Sequence, residues 1–373
     1  MSAASNQRYK VAVWATGGVG KYAIRTIIDR SHFELVGVWV HSDDKHGRDA
    51  GELAGIDAVG VLASRHEADI LDGDADCVVY AAPTPHRMKE AIGDFCRILA
   101  AGKNIVTTSM SGLVYPRGSM SGKILDAITA STQVGQSSLF STGIEPGFAA
   151  DLFPIALSTM SHKVYSVRGI EITNYSEYGN EYDMRELFGF GKPLHYRGGL
   201  KTPGVLRWGW GAAVTMVAEA LGVTLDDIRE TCEFLPTPRD ITTGFGLVEA
   251  GTVGATRACC IGVIDGVDVI TIEHVDRIAD DLAPDWPKSR SGGTDGTWRV
   301  VIDGEPSLDA EFEVGYRPGD NHGNHGLLAT AMRAVNAIPA VCAAEPGIVD
   351  ALHIPLTAPV GALHPHRDGI PAF

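Results

Sequence analysis

Apolar positions in the first part of the chain switch repeatedly between two periods. Residues 9–14 (YKVAVW) form a short apolar run of strand character, and Val19, Ala23 and Ile27 then recur at helical spacing. FELVGVWV (33–40) reads as a second strand, DADCVVYAAPTP contains a third, and a helix is expected over 85–101. KNIVTTS (103–109) and residues 138–142 complete the set as further strands. Strands alternating with helices predict a doubly wound parallel sheet, with the ligand crevice beyond the C-terminal ends of its strands.

After Asp151 the pattern changes. VYSVRGIEITNY alternates like a strand with one buried face, and VLRWGWGAAVTMVAEALG (205–222) reads as a mostly apolar helix closed by Gly222. Two long alternating runs each carry an Asp-Gly pair, so Asp265-Gly266 and Asp303-Gly304 are expected hairpin turns. Helical spacing returns from Leu327 to about Ala337, and a Pro-rich tail follows. The predicted organisation is a parallel-sheet domain over 1–150 and a second α/β domain with a mainly antiparallel sheet over 151–340. The segment 341–373 either packs back or forms an extended arm.

The length of 373 residues accommodates two cores. A formal net charge of -15 argues against a nucleic-acid partner. No apolar run reaches membrane-spanning length without a charge, and MSAASNQRYK lacks the apolar core of a signal peptide, so a cytoplasmic location is expected. The six cysteines form no Cys-x-x-Cys pair and read as reduced, packed thiols. His322 and His325 lack a ligand set at metal-site spacing, and no metal is expected.

Between the first strand and helix, ATGGVG fits the dinucleotide fingerprint G-x-G-x-x-G with Ala15 in the first position. Thr16, Gly17, Gly18, Val19 and Gly20 would meet the pyrophosphate at the helix N-terminus. Ala82, Pro83 and Thr107, at the ends of the third and fourth strands, would line the rest of that edge. His41 and Ser42 end the second strand, with Lys45 and Arg48 just behind, and suit a 2′-phosphate. Asp43 and Asp44 would instead reach a ribose hydroxyl. The expected cofactor is NADP, with NAD as the alternative.

Several segments in order, WATGGVGK, HSDDKHGRDAGELAG, GKNIVTTS, STGIEPGFAADLFPIAL, ELFGFG and TAMRAVNAIPAVCAAEPGI, resemble one family of NAD(P)H-dependent oxidoreductases. These are the amine dehydrogenases and 2,4-diaminopentanoate dehydrogenase, related in fold to dihydrodipicolinate reductase. The resemblance implies a homodimer with an N-terminal Rossmann domain and a substrate cleft between the domains, at the nicotinamide. It also implies a catalytic glutamate just after the strand matching NIVTT. Here that stretch is SMSGLVYP, and no acid occurs between Lys103 and Asp126. The His-His loop of true dihydrodipicolinate reductases is absent too.

Hydride transfer to a carbonyl or imine needs a nearby group that gives or takes a proton. Glu145, in the turn STGIEPGF after the strand at 138–142, is the first candidate. Tyr175 is the second, because a phenol can donate to a carbonyl oxygen. Ser109 and Ser111, standing where the family has its acid, are candidate pocket residues with Tyr178 and Phe188. Trp208, Trp210 and Phe190 are further candidate apolar walls. No tyrosine has a lysine four residues later, which excludes the short-chain dehydrogenase pair. The expected substrate is a small, largely apolar ketone, imine or amine. The alternatives are alcohol/ketone chemistry without amines, or a dinucleotide-sensing protein without turnover.

Overall fold

The structure, a computed structural model, describes residues 8–84, 87–293, 296–317 and 320–363. β1 (Tyr9–Trp14) enters the first core with four consecutive buried residues, as a central parallel strand must. It is followed by α1 (Gly18–Asp29), β2 (Phe33–Trp39), α2 (Ala50–Ala54), β3 (Ala63–Ser64), α3 (Ala68–Leu71) and β4 (Cys77–Tyr80). Then come α4 (Met88–Ala100), β5 (Asn104–Thr107), α5 (Gly122–Gly135) and β6 (Ser138–Ser141). The expected start of the α4 helix at Pro85 lies outside the described residues.

The second region comprises α6 (Leu152–Ser158), β7 (Lys163–Asn174), α7 (Val205–Ala220), β8 (Asp227–Pro236), β9 (Ile241–Thr243) and β10 (Gly246–Val248). It continues through β11 (Val253–Ile264), β12 (Val267–Arg277), β13 (Thr297–Glu305) and β14 (Leu308–Glu313). α8 (His322–Cys342) and β15 (Gly347–Val349) close the described chain.

The first sheet has seven parallel strands in the order β15-β6-β5-β4-β1-β2-β3. The second has six, β14-β13-β7-β12-β11-β8, antiparallel except for the β12–β7 pair. β9 and β10 form a separate two-stranded pair. The expected α/β architecture of a parallel sheet plus a mainly antiparallel one is therefore present. Among the described residues no helix is long and apolar enough to cross a membrane.

Two features differ from the sequence reading. Asp265-Gly266 does turn between β11 and β12, with φ of 52° and 78°. Asp303-Gly304 does not. It lies inside β13, which stays paired with β7 as far as Glu305, with a register irregularity at that dipeptide. The reversal into β14 comes at Pro306, which cannot donate to a ladder. The second difference is α8, grouped by sequence with 151–340. Its Ala334, Val335, Ile338 and Val341 pack against Val11, Val13, Ile24 and Ile27, in the first core. β15 then adds to the edge of the first sheet beside β6. The tail thus packs back over 347–349, and residues 364–373 lie outside the described residues.

Candidate active site

The fingerprint loop behaves as its glycines require. A Cβ at Gly20 would collide with the Ala15 carbonyl oxygen, so only glycine lets α1 sit this close to β1. Gly17, the N-cap of α1, has open space where a Cβ would stand, and no side chain caps the helix. Its first amides are left for an anion, which suits a pyrophosphate. Ala15 adopts φ 81°, a conformation that glycine would adopt without strain. Lys45 reaches back to this loop, its Nζ donating to Thr16 Oγ1 at 3.3 Å. His41, exposed, and Ser42 lie beyond β2, where Arg65 pairs with Asp43 and donates to the His41 carbonyl at 3.0 Å. Arg65 escaped the sequence reading. Arg48 is exposed and bonds through its backbone to Ala63.

Leu327 on α8 joins this loop to a cavity of about 650 Å³. Its Cδ1 lies 2.9 Å from where a Cβ on Gly18 would stand, and it also lines the cavity. Glu145, Tyr175, Tyr178 and Phe188 line the cavity, with Trp210, Trp298, Glu171 and His274. Trp208 is not part of the lining, and Phe190 is fully buried in the second core. Ser109 and Ser111 do not line it either; the Ser109 hydroxyl donates to the Tyr80 carbonyl at 3.4 Å. Thr107 is buried with its hydroxyl donating to the same carbonyl at 2.9 Å, while Ala82 is buried and Pro83 exposed. His322 lines the cavity, and its Nδ1 is 2.9 Å from the Val314 carbonyl. His325 faces Asp320 at 3.5 Å.

The turn carrying Glu145 is held from three sides. Gly147 has φ 122°, and a Cβ there would collide with the Gly143 amide nitrogen. Buried Asp151 accepts from Gly147 N at 2.7 Å and Leu152 N at 2.6 Å, and Arg333 of α8 donates to the Gly147 carbonyl at 3.3 Å. The turn also lies on β7, where a Cβ at Gly169 would stand 3.1 Å from Ala150 Cα. This close approach carries the Glu145 side chain to the cavity with 2 % of its surface exposed.

Strand register assembles the remainder. His274 of β12 and Trp298 of β13 both pair with Glu171 of β7. Trp298 Nε1 donates to Glu171 Oε2 at 2.9 Å, and the Tyr175 hydroxyl donates to Oε1 at 3.2 Å. The Tyr175 phenol, expected to serve a carbonyl oxygen, is thus directed at Glu171 instead. His274 Nδ1 lies 3.5 Å from Glu171 Oε1, its Nε2 lies 3.8 Å from Glu145 Oε1, and its ring packs on Trp210 with centroids 4.3 Å apart. Asp276, two residues on, is fully buried with neither oxygen hydrogen-bonded. Its carboxylate, Glu171 and His274 form one compact buried cluster, with polar atoms lying within 4.8 Å of one another.

Burial pushes the Glu145 carboxyl well above its ordinary range, and the nearby charges of Glu171 and Asp151 add to this. Burial pushes Glu171 up as well, but His274 and the donors Trp298 and Tyr175 outweigh it and hold that carboxyl below its ordinary value. Asp276 is raised well above its ordinary range, first by burial and then by Glu171. The arrangement is one ionised acid beside one imidazole, with two acids that favour their protonated forms.

Residues 148–366 match the 2,4-diaminopentanoate dehydrogenase C-terminal domain family. An amine dehydrogenase from Streptomyces virginiae is 38% identical over 353 residues, covering 94% of this chain and 97% of its own. The chain belongs to the amine dehydrogenase and 2,4-diaminopentanoate dehydrogenase family. A 2,4-diaminopentanoate dehydrogenase from Acetoanaerobium sticklandii is 23% identical over 366 residues, covering 94% of each chain. The solved structure of an amine dehydrogenase from Mycobacterium smegmatis shares the fold, with a TM-score of 0.75, 21% identity and coverage of 94% and 97%. This member of the family is an NAD(P)-dependent oxidoreductase. The non-enzymatic alternative is thereby set aside.

Proposed function

We propose that the protein carries out NADP-dependent reductive amination of a small uncharged ketone or aldehyde, with Glu145 as the proton-donating acid. One observation carries this reading: a buried carboxyl with an unpartnered oxygen, Glu145 Oε1, faces the cavity just beyond the C-terminal end of β6. Bound nicotinamide supplies the hydride. A neutral carboxyl can protonate a departing hydroxyl, and the carboxylate it leaves stabilises an iminium cation. Entry of that cation also offsets the burial that favours the protonated form.

The lining argues for the substrate's charge. Seven of its side chains are carboxylic and, among the described residues, none is a lysine or arginine. A substrate carboxylate would find repulsion and no ion-pair partner there, so a ketone without one is favoured. Tyr178, Phe188 and Trp210 supply apolar walls, and Tyr175 orients Glu171. Lys45, Arg48 and Arg65 make the end of β2 suitable for a 2′-phosphate, with His41 and Ser42 as further donors. The fingerprint residues Thr16 to Gly20 and exposed Pro83 flank the cofactor path, while Ala82 and Thr107 are buried behind it. A cytoplasmic homodimer is the expected working form, and its mass in solution tests the second half of that expectation.

The deciding experiment follows NADPH absorbance with a panel of ketones, with and without ammonia. Loss that requires ammonia supports the proposal. Loss without ammonia, yielding an alcohol, replaces it with alcohol/ketone chemistry.

A further inference from the structure

His274 has no place in the function as stated, yet it is the side chain between the two acids. Its side chain is 5 % exposed, and neither ring nitrogen makes a hydrogen bond of ordinary geometry. A buried imidazole kept only for packing is normally satisfied on at least one nitrogen. Here Nε2 faces Glu145 and Nδ1 faces Glu171 at 3.8 and 3.5 Å, separations that fit catalytic contacts that close up when ligand binds. The ring's orientation is fixed by its packing on Trp210 of α7 and by the β12–β7 register that sets it beside Glu171.

We propose that His274 is a positioning residue that returns a proton to Glu145 after that acid has discharged it, with Glu171 keeping the imidazole charged. The proposal rests on the reductive-amination reading above. In the step concerned, the carbinolamine C–O bond breaks and its electron pair leaves on oxygen. The Glu145 proton goes to that oxygen, giving water, while the nitrogen lone pair forms the C=N bond of the iminium. Glu145 is left as a carboxylate. Once the cation is gone, the proton on His274 Nε2 crosses to Glu145 and the ring becomes neutral. It recovers a proton from solvent, equal in number to the one released when ammonium supplies ammonia. Over a cycle, therefore, the protons balance.

The surrounding charges support a protonated ring at rest. Burial is the largest single effect and disfavours it, but the Glu171 carboxylate, its hydrogen-bonding interaction with the ring and a smaller contribution from Glu273 on the far face together raise the His274 pKa above its ordinary value. Asp276, which also faces the ring, adds to this only when ionised. Glu145 is the acid facing it from the turn after β6, and Trp210 of α7 brings no charge. A raised imidazole pKa keeps the charged form until the pH rises through that value, so the relay should fail on the alkaline side.

The test compares ammonia-dependent reduction of a ketone with reduction of a preformed cyclic imine supplied as its N-methyl iminium cation, which has no C–O bond to break and takes no proton from Glu145. Free ammonia is held constant across pH, and NADPH binding by each variant is checked by fluorescence. In His274→Asn the ratio of amination to imine reduction is expected to fall at least tenfold. In Glu171→Gln the alkaline limb of the amination profile is expected at lower pH, because the ring has lost the carboxylate that keeps it charged. An unchanged ratio in His274→Asn, including both rates falling together, overturns the proposal, and so does an unmoved limb in Glu171→Gln. Should His274→Asn fail to fold, the Glu171→Gln limb decides alone. A wild-type enzyme that reduces the imine but never consumes ammonia overturns the amination reading instead.

Discussion

Glu273 and His274 are neighbours in β12 and look out from opposite faces of the second sheet. On one face Glu273, 1 % exposed, accepts from Arg257 Nε and Arg168 Nε, each at 2.7 Å. On the other, the Glu145, Glu171 and Asp276 carboxyls surround one imidazole, and no guanidinium or ammonium lines the cavity among the described residues. A buried acid that serves the architecture is matched by fixed cations. One kept short of cations carries a raised proton affinity into the ligand-free state, which is useful only if a cation or a proton-accepting group is to arrive.

The comparison can be broken most forcefully at Glu145. Glu145→Gln should lower the amination rate constant about a hundredfold or more, with NADPH binding retained in a fluorescence titration. The balanced face should respond in the opposite way. Glu273→Gln leaves Arg168 and Arg257 without their acid and is expected to destabilise by about 2–3 kcal/mol, at the low end for a broken buried pair because both arginines are partly exposed. A denaturant midpoint would register this, while activity per folded molecule should fall far less than in Glu145→Gln.

At the cofactor end, Lys45→Ala combined with Arg65→Ala should raise the KM for NADPH about tenfold, the scale of losing charge-assisted hydrogen bonds, and leave that for NADH nearly unchanged. An equal effect on both cofactors would remove these residues from 2′-phosphate recognition. A smaller effect concerns stability against pH. Burial raises the Glu145 carboxyl above its unfolded value, so folding takes up a proton between the two values and this group destabilises increasingly as pH rises through that window. Glu145→Gln needs no proton and should melt above wild type, by a margin that widens from acid to neutral pH. The smallest effect is expected for Gly169→Ala, where Ala150 must give by a few tenths of an ångström. A severalfold fall in kcat with unchanged NADPH binding is the expected result.

Much of the first sheet was legible because its signals are local. The period switches from strand to helix, and Gly20 marks a helix that must approach its strand closely. In the second sheet Asp265-Gly266 is a local signal of the same kind, suiting a turn with positive φ at both positions. Glu145 could be singled out because turns beyond parallel strands line the crevice. Glu171 and His274 could not. In IEITN and IEHVDR they occupy alternate positions of strands, where a polar residue ordinarily marks the solvent face, and their meeting depends on a parallel register between segments about a hundred residues apart. A His and an acid within otherwise apolar, buried stretches of their strands were the available clue. α8 was visible as a helix, but its periodicity names no partner, and only the long-range packing assigns it to the first core.

The return of α8 and β15 to the first sheet means that the chain crosses between the two sheets twice, once after β6 and once after β14. Glu145 stands on the outward crossing, and Asp320 and His322 stand at the end of the homeward one. The proposed acid would therefore stand at the pivot of any swing of one sheet against the other. Were one sheet to swing against the other, points near the pivot would travel least and points far along β7 and β12 most. A clamp with its acid at the fulcrum can admit molecules of different girth while the acid keeps its distance from the strand that presents it.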